Sequence, residues 1–214
     1  MVIPREARKI TYSTEIRELK KRLKLDGIQK AVVIGGLLGD GNLETNWSKT
    51  NSRLKFDHSE KQKDYIFWKY EMLKDWVLTK PRHYLPTKAI SFRTISHPDL
   101  TALHKVFYQN RIKVLPDNIA EYLSNPLTLA VWFMDDGNCL KTNNRTYAYH
   151  LNTQSFTTKE NRKIVGVMHK LYDINCSLQI NNGKHRLYIK TESKNKFRNY
   201  IKNFVIPSMQ YKLG

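Results

Sequence analysis

The sequence predicts an α+β fold built from two pseudo-symmetric α-β-β-α-β-β-α halves. Three observations predict it. An apolar run that ends in Asp-Gly occurs twice, as "IGGLLGDGN" (34–42) and "LAVWFMDDGN" (129–138). The segments after each run follow in one order, short alternating strand patterns between 3.6-period helical ones. Placing Asp40 over Asp136 also aligns "LKFDH" (54–58) with "YHLNT" (149–153), "AISFRT" (89–94) with "HRLYIK" (185–190), and "KVLP" (113–116) with "FVIP" (204–207). In that alignment Phe92 and Tyr188 stand 52 residues past their aspartates.

The elements can be justified in order. Residues 5–27 form a basic segment with a helical pattern. Next comes a short apolar helix ending at Asp40. Its Gly35, Gly36 and Gly39 each cost roughly 1 kcal/mol relative to alanine, and close approach of another helix compensates for such a cost. Gly41, and Gly137 in the second copy, are expected to end their helices in the left-handed conformation. Strands around 49–58 lead to a helix with a stripe at Tyr65, Trp68, Met72 and Trp76. Strands within 79–94 lead to a closing helix with Leu100, Leu103 and Phe107. The joint falls near "EYLSNPL" (121–127), where Ser124 or Asn125 caps the next helix and Pro126 starts it. The expected segments are therefore 1–27, 28–122 and 123–214. In the second half, strands within 140–153 precede a helix with Ile164, Met168 and Leu171. Two further strands turn at Asn182-Gly183, and a helix with Phe197, Tyr200 and Phe204 closes the half.

Composition narrows the partner. Hydrophobic residues make up 40% of the chain, enough for a packed core. The longest apolar stretch, Ala31 to Leu38, is too short to span a bilayer, and the N-terminal stretch lacks the apolar region of a signal peptide. A soluble intracellular protein with no membrane partner is expected. Lys and Arg number 37 against 19 Asp and Glu, a net charge of +18. Such an excess seeks a polyanion, either nucleic acid or an anionic membrane. The basic residues interleave with Tyr, His, Asn and Gln on strand-like segments, which suits bases and phosphates better than lipid headgroups. Cys139 and Cys176 have no metal or redox spacing and read as free thiols. His104 and His169 read as ordinary helix residues, and Trp47, Trp68, Trp76 and Trp132 as packing residues.

The two short helices suggest the chemistry. Packed side by side, they bring Asp40 and Asp136 together beside two negative helix ends. Such a pocket needs cations, and hard oxygen ligands select Mg²⁺. An acidic metal site among basic strands describes a nuclease, in which metal activates water and stabilises the leaving 3′ oxygen. The runs lack the Gly-Lys-Ser/Thr of a P-loop and the spaced acids of an EF-hand loop.

The nine-residue stretches "VIGGLLGDG" (33–41) and "LAVWFMDDG" (129–137) resemble the duplicated signature of single-chain LAGLIDADG homing endonucleases. "LNTQSFT" (151–157) and "PSMQYKL" (207–213) are similar to a yeast mitochondrial intron-encoded member. The likeness runs from about Gly27 to Leu213. Val131 and Trp132 depart from the small residue usual at the third place, so the glycines of the first helix are expected to provide the close approach. The resemblance implies that Asp40 and Asp136 bind the catalytic metal. Gly39 and Asp135 would add backbone oxygens or an outer contact. One basic residue per half would polarise water or phosphate: Lys113, with Arg111 as its rival, and Lys212. Mg²⁺ is the implied cofactor, with Mn²⁺ able to replace it and Ca²⁺ binding without cleavage. The implied partner is double-stranded DNA, held by a monomer on saddle-shaped antiparallel sheets and cut in both strands to leave short 3′ overhangs. Candidate DNA-binding residues are Lys49, Arg53, Lys55, Arg82, His83, Lys88 and Arg93, then Lys141, Arg145, Tyr147, His150, Lys184, Arg186 and Lys190. An RNA maturase acting on intron RNA and a silent DNA-binding regulator are the alternatives.

Overall fold

The structure, a computed structural model, describes residues 14–46 and 48–214. Residues 5–13 of the expected N-terminal helix, and Trp47, lie outside the described residues. The elements run α1 (Thr14–Arg22), α2 (Gly27–Leu38), β1 (Asn42–Thr45), β2 (Ser52–Ser59), α3 (Lys63–Met72), β3 (Arg82–Tyr84), β4 (Ala89–Arg93) and α4 (Pro98–Phe107). They continue as β5 (Tyr108–Gln109), β6 (Ile112–Lys113), α5 (Ile119–Leu123), α6 (Pro126–Asp136), β7 (Gly137–Thr142), β8 (Arg145–Leu151), α7 (Thr158–Tyr172), β9 (Cys176–Asn181), β10 (Lys184–Ile189) and α8 (Lys194–Ile201). The fold is α+β with antiparallel sheets. Contacts gather it into two compact units: one ends at Val33 and resumes over Gly41–Lys105, and the other holds Ile34–Asp40 with Val106–Gly214. Among the described residues no helix is long and apolar enough to cross a membrane.

In the first unit the sheet order is β1-β2-β4-β3. Strand β2 alternates strictly: Leu54, Phe56 and His58 are buried, while Arg53, Lys55 and Asp57 face outward. Helix α3 covers the buried face through Tyr65, Ile66, Lys69 and Tyr70, and Tyr70 meets Phe92 edge-on at 5.8 Å. This corrects the expected stripe, since Trp68 and Met72 are only half-buried and Lys69 sits in the core. The Lys69 ammonium lies over the Phe56 ring at 4.2 Å and the Tyr65 ring at 4.3 Å, and 3.0 Å from His58 Nε2. A charge held by ring faces is invisible to a count of apolar positions.

In the second unit the order is β7-β8-β10-β9. Its core centres on Phe133, Tyr149 and Phe197, with ring centroids 5.2 to 5.6 Å apart. Helix α7 starts on a capping box, Thr157 with Glu160, and buries Ile164, Met168 and Tyr172, with Leu171 half-exposed. Helix α8 buries Phe197 and Ile201, while Tyr200 and Phe204 remain exposed. Both stripes step by four residues, whereas the expected ones mixed threes and fours. Leu187 pairs with Leu151 as Phe92 pairs with Phe56. Leu187, not Tyr188, is thus the structural counterpart of Phe92, and the one-residue slip turns Tyr188 to the opposite face. Asn125 caps α6 by accepting from the Leu127 amide at 3.0 Å, with Pro126 in the first turn. The Asn182-Gly183 turn has φ of 51° and 74°, as its sequence predicts.

The glycines behind the two aspartates play another part than expected. Among the described residues, the positive-φ glycines are Gly183 and Gly214. Gly137 is extended, at φ −85° and ψ 154°, and a Cβ there would fall 2.0 Å from the Phe133 ring. Gly137 is needed for closeness and not for left-handedness.

Candidate active site

The site lies within the second unit, which includes the last turn of α2. A Cβ on Gly35 would lie 2.6 Å from the Thr128 carbonyl and 2.7 Å from Val131 Cβ, and one on Gly39 would lie 2.5 Å from Asp135 Cβ. The glycines of the first motif are therefore what let α6 approach, as its bulkier partner residues require. That approach seats Asp135, only 8% exposed, where its Oδ2 accepts the Asp40 amide at 3.2 Å. Carboxylate oxygens of Asp40 and Asp135 come within 4.8 Å of each other. Asp40 is exposed and Asp136, the last residue of α6, is half-buried. Burial, then the charges of Asp40 and Asp135, push the Asp136 carboxyl up to about 7, against the pull of Lys113 and Lys212. Carboxylates that raise one another in this way form a ready cation site.

Two lysines complete the geometry. Lys113 lies on the β5–β6 hairpin, whose turn residues Asn110 and Arg111 have φ of 48° and 67°. Its ammonium donates to the Gly39 carbonyl at 2.9 Å. Burial lowers the Lys113 pKa although Asp136, Asp135 and Asp40 all oppose this. Lys212 ends a 3-10 turn (Pro207–Lys212) and donates to the Asp135 carbonyl at 2.8 Å and the Met134 carbonyl at 2.5 Å. Each lysine thus holds the carbonyl at the seventh place of one motif. Of the two rivals in the hairpin, Lys113 makes this contact and Arg111 occupies the turn. The donor set fits a hard divalent cation: Asp40 and Asp136 offer carboxylates, Asp135 offers a third, and the Gly39 and Asp135 carbonyls point at lysines.

Strand parity sorts the candidate DNA contacts. Arg53, Lys55 and Arg93 lie on the open face of the first sheet, and Arg82 joins them opposite Ser91. His83 does not, because it pairs with buried Ile90 on the helix side, 3.5 Å from Glu60. Lys49 and Lys88 sit at left-handed loop positions. In the second sheet His150, Lys184 and Arg186 share the open face, and Lys190 follows with the same parity. A bulge leaves Tyr147 as an extra residue in β8, after which Lys141 pairs with Thr146 on the covered side, beside Gly214, and Arg145 pairs with Thr142 on the open face. Gln179 and Tyr188 also stand on the open face. They are absent from the sequence-derived set, although alternation along β9 and β10 would have found them.

Fold and site together define a class. Residues 30–197 match the LAGLIDADG DNA endonuclease family, and the chain belongs to that family. A probable intron-encoded endonuclease of Wickerhamomyces canadensis is 30% identical over 92% of this chain and 89% of its own length. A cytochrome b mRNA maturase of Debaryomyces hansenii is 27% identical over 89% of this chain and 75% of its own. Among solved structures, the homing endonuclease I-WcaI bound to its DNA recognition sequence superposes with a TM-score of 0.85 at 26% identity, covering 95% of this chain and 93% of that one.

Proposed function

We propose that this chain is a monomeric, Mg²⁺-dependent homing endonuclease that cuts both strands of one long, asymmetric DNA site and leaves short 3′ overhangs. Segments 28–122 and 123–214 would each serve one half-site, with residues 1–27 as an added basic segment. The observation that carries the reading is the paired arrangement of Asp40 and Asp136 with Lys113 and Lys212, in a chain whose two sheets each bear arginines and lysines on an open face. A relative that is a DNA endonuclease supports the same assignment.

Bound at these carboxylates, Mg²⁺ would supply Lewis-acid charge and a more acidic water. The protein's own groups have separable tasks. Asp40 and Asp136 would hold the cation, and Mn²⁺ should replace Mg²⁺ while Ca²⁺ should bind without supporting cleavage. Asp135 fixes the Asp40 backbone through its amide. Lys113 and Lys212, held at the motif carbonyls, would stabilise negative charge on phosphate or orient the attacking water. Hydrolysis breaks the P–O3′ bond: the water oxygen joins phosphorus, and the leaving 3′ oxygen takes up a proton.

A randomised duplex library offered in Mg²⁺ and in Ca²⁺ tests this, with Asp40→Asn and Asp136→Asn as controls. Cutting at one long asymmetric site, in Mg²⁺ and lost in either variant, is expected. Selection of a site without cutting in Mg²⁺ refutes the enzyme reading. Intron RNA binding that survives duplex competitor would support the maturase reading, which similarity to an mRNA maturase keeps in play.

A further inference from the structure

One cluster on the open face of the second sheet is unlike a wetted surface. His150 lies on that face yet is 3% exposed. Its Nε2 meets Gln179 Oε1 at 2.7 Å, the glutamine reaching across the intervening strand β10. The His150 ring packs on Tyr188, centroids 5.6 Å apart. Arg186 stands opposite Gln179 in the next row, and its Nε, like His150 Nδ1, is buried without a hydrogen-bond partner among the described residues. Burial first, and the charge of Arg186 after it, keep the His150 pKa below its usual value, although the Gln179 bond works the other way. The ring is therefore a neutral prop at physiological pH.

An orphaned donor on a guanidinium is costly, and such costs persist where a group is aimed at something else. With its Nε shut from solvent, Gln179 opposite it and the His150–Tyr188 pair on the same face, the arginine has little freedom and its planar fork is pre-set. A pre-set fork on a sheet face matches the O6 and N7 acceptors of guanine in the major groove. We propose that Arg186 reads one guanine of the target, with Gln179, Tyr188 and His150 as positioning residues that aim it. The proposal rests on the DNA endonuclease reading. Leu187 pairs with Leu151, so one residue further Arg186 lies beside Asn152, whose amide donates to the Asp136 carbonyl at 3.0 Å. Two strand spacings, about 10 Å, therefore separate Arg186 from Asp136. The guanine belongs to the base pairs nearest the cuts.

The test uses the full chain and every single-base variant of the selected site. Arg186→Ala and Arg186→Lys should both lose about five- to hundred-fold discrimination at one G·C pair near the cuts, leaving other pairs unchanged. The lysine variant keeps the charge, so its failure isolates the fork from the cation. Gln179→Ala and His150→Ala should relax the same pair with the salt dependence of binding unchanged, and should add nothing once Arg186 is gone. Uniform weakening over all sequences, with the log–log salt slope reduced by about one, would make Arg186 a phosphate contact and overturn the proposal. So would unchanged discrimination in a folded Arg186→Lys protein. Failure of the unmodified chain to select any duplex would instead defeat the endonuclease reading, and this inference with it.

Discussion

Replacing Gly35 by alanine should destabilise the protein, although alanine is the better helix former. The substitution gains about 1 kcal/mol of helix propensity. Against this, the new methyl would stand 2.6 Å from the Thr128 carbonyl and 2.7 Å from Val131 Cβ. The carbonyl belongs to the backbone of α6 and has no rotamer by which to move aside. Overpacking of this kind costs about 1–3 kcal/mol, and a rigid backbone obstacle puts Gly35→Ala at the upper end. A net loss of about 1–2 kcal/mol remains, a fall in Tm of about 2–8 °C for a chain of this size. Gly166, exposed in the middle of α7, has nothing within 4 Å of its would-be Cβ. Gly166→Ala should therefore stabilise by about 0.5–1 kcal/mol. Thermal unfolding of the two variants side by side is the assay. The same chemical change should give opposite signs, and a rise in Tm for Gly35→Ala would refute the close approach of the two motif segments.

Three further outcomes are expected. Lys212→Met and Lys113→Met should each slow single-turnover cleavage about 100-fold or more, with target binding in Ca²⁺ intact; equal rates would remove the lysines from the chemistry. Glu160 is raised by burial but lowered more by the Thr157 hydroxyl and the Leu115 and Thr157 amides, so its folded pKa lies below the ordinary value. Its contribution is present above the unfolded pKa and fades as pH falls through the folded one, so the stability gap between the unmodified protein and Glu160→Gln should be widest near neutrality and close in acid, by denaturant titration; a pH-independent gap would contradict this. Arg111→Gly should relieve a left-handed arginine at φ 67° and turn the hairpin into the favoured Asn-Gly form, raising stability by about 0.5 kcal/mol once glycine's extra unfolded freedom is counted; a clear loss in a melting curve would count against it.

Much of this could be read from residues. The paired Asp-Gly runs, the Asn125-Pro126 start and the Asn182-Gly183 turn are local signals, each with a local cause, and the structure uses all three. The close-approach role of the first-motif glycines followed from their cost in a helix. Long-range effects were hidden. A buried Lys69 between aromatic rings broke the apolar stripe of α3. The counterpart of Phe92 moved one residue because register depends on cross-strand pairing. A bulge at Tyr147 broke the alternation of β8 and put Lys141 on the covered side. Lys113 and Lys212 make matching contacts from unlike supports, a hairpin and a 3-10 turn, so no single offset from the aspartates relates them.

The fit of glycine against bulk has a consequence for heredity as well as packing. Gly35 and Gly39 form the hollow, and Val131 and Asp135 fill it. A second copy of the filled motif in place of the hollow one would set valine against valine and carboxylate against carboxylate. Two hollow copies would leave a gap. Neither motif can any longer serve as its own mate, so gene conversion between the repeats is penalised at the level of folding. The two motifs therefore act as mould and cast within one chain, each shaped for a partner unlike itself.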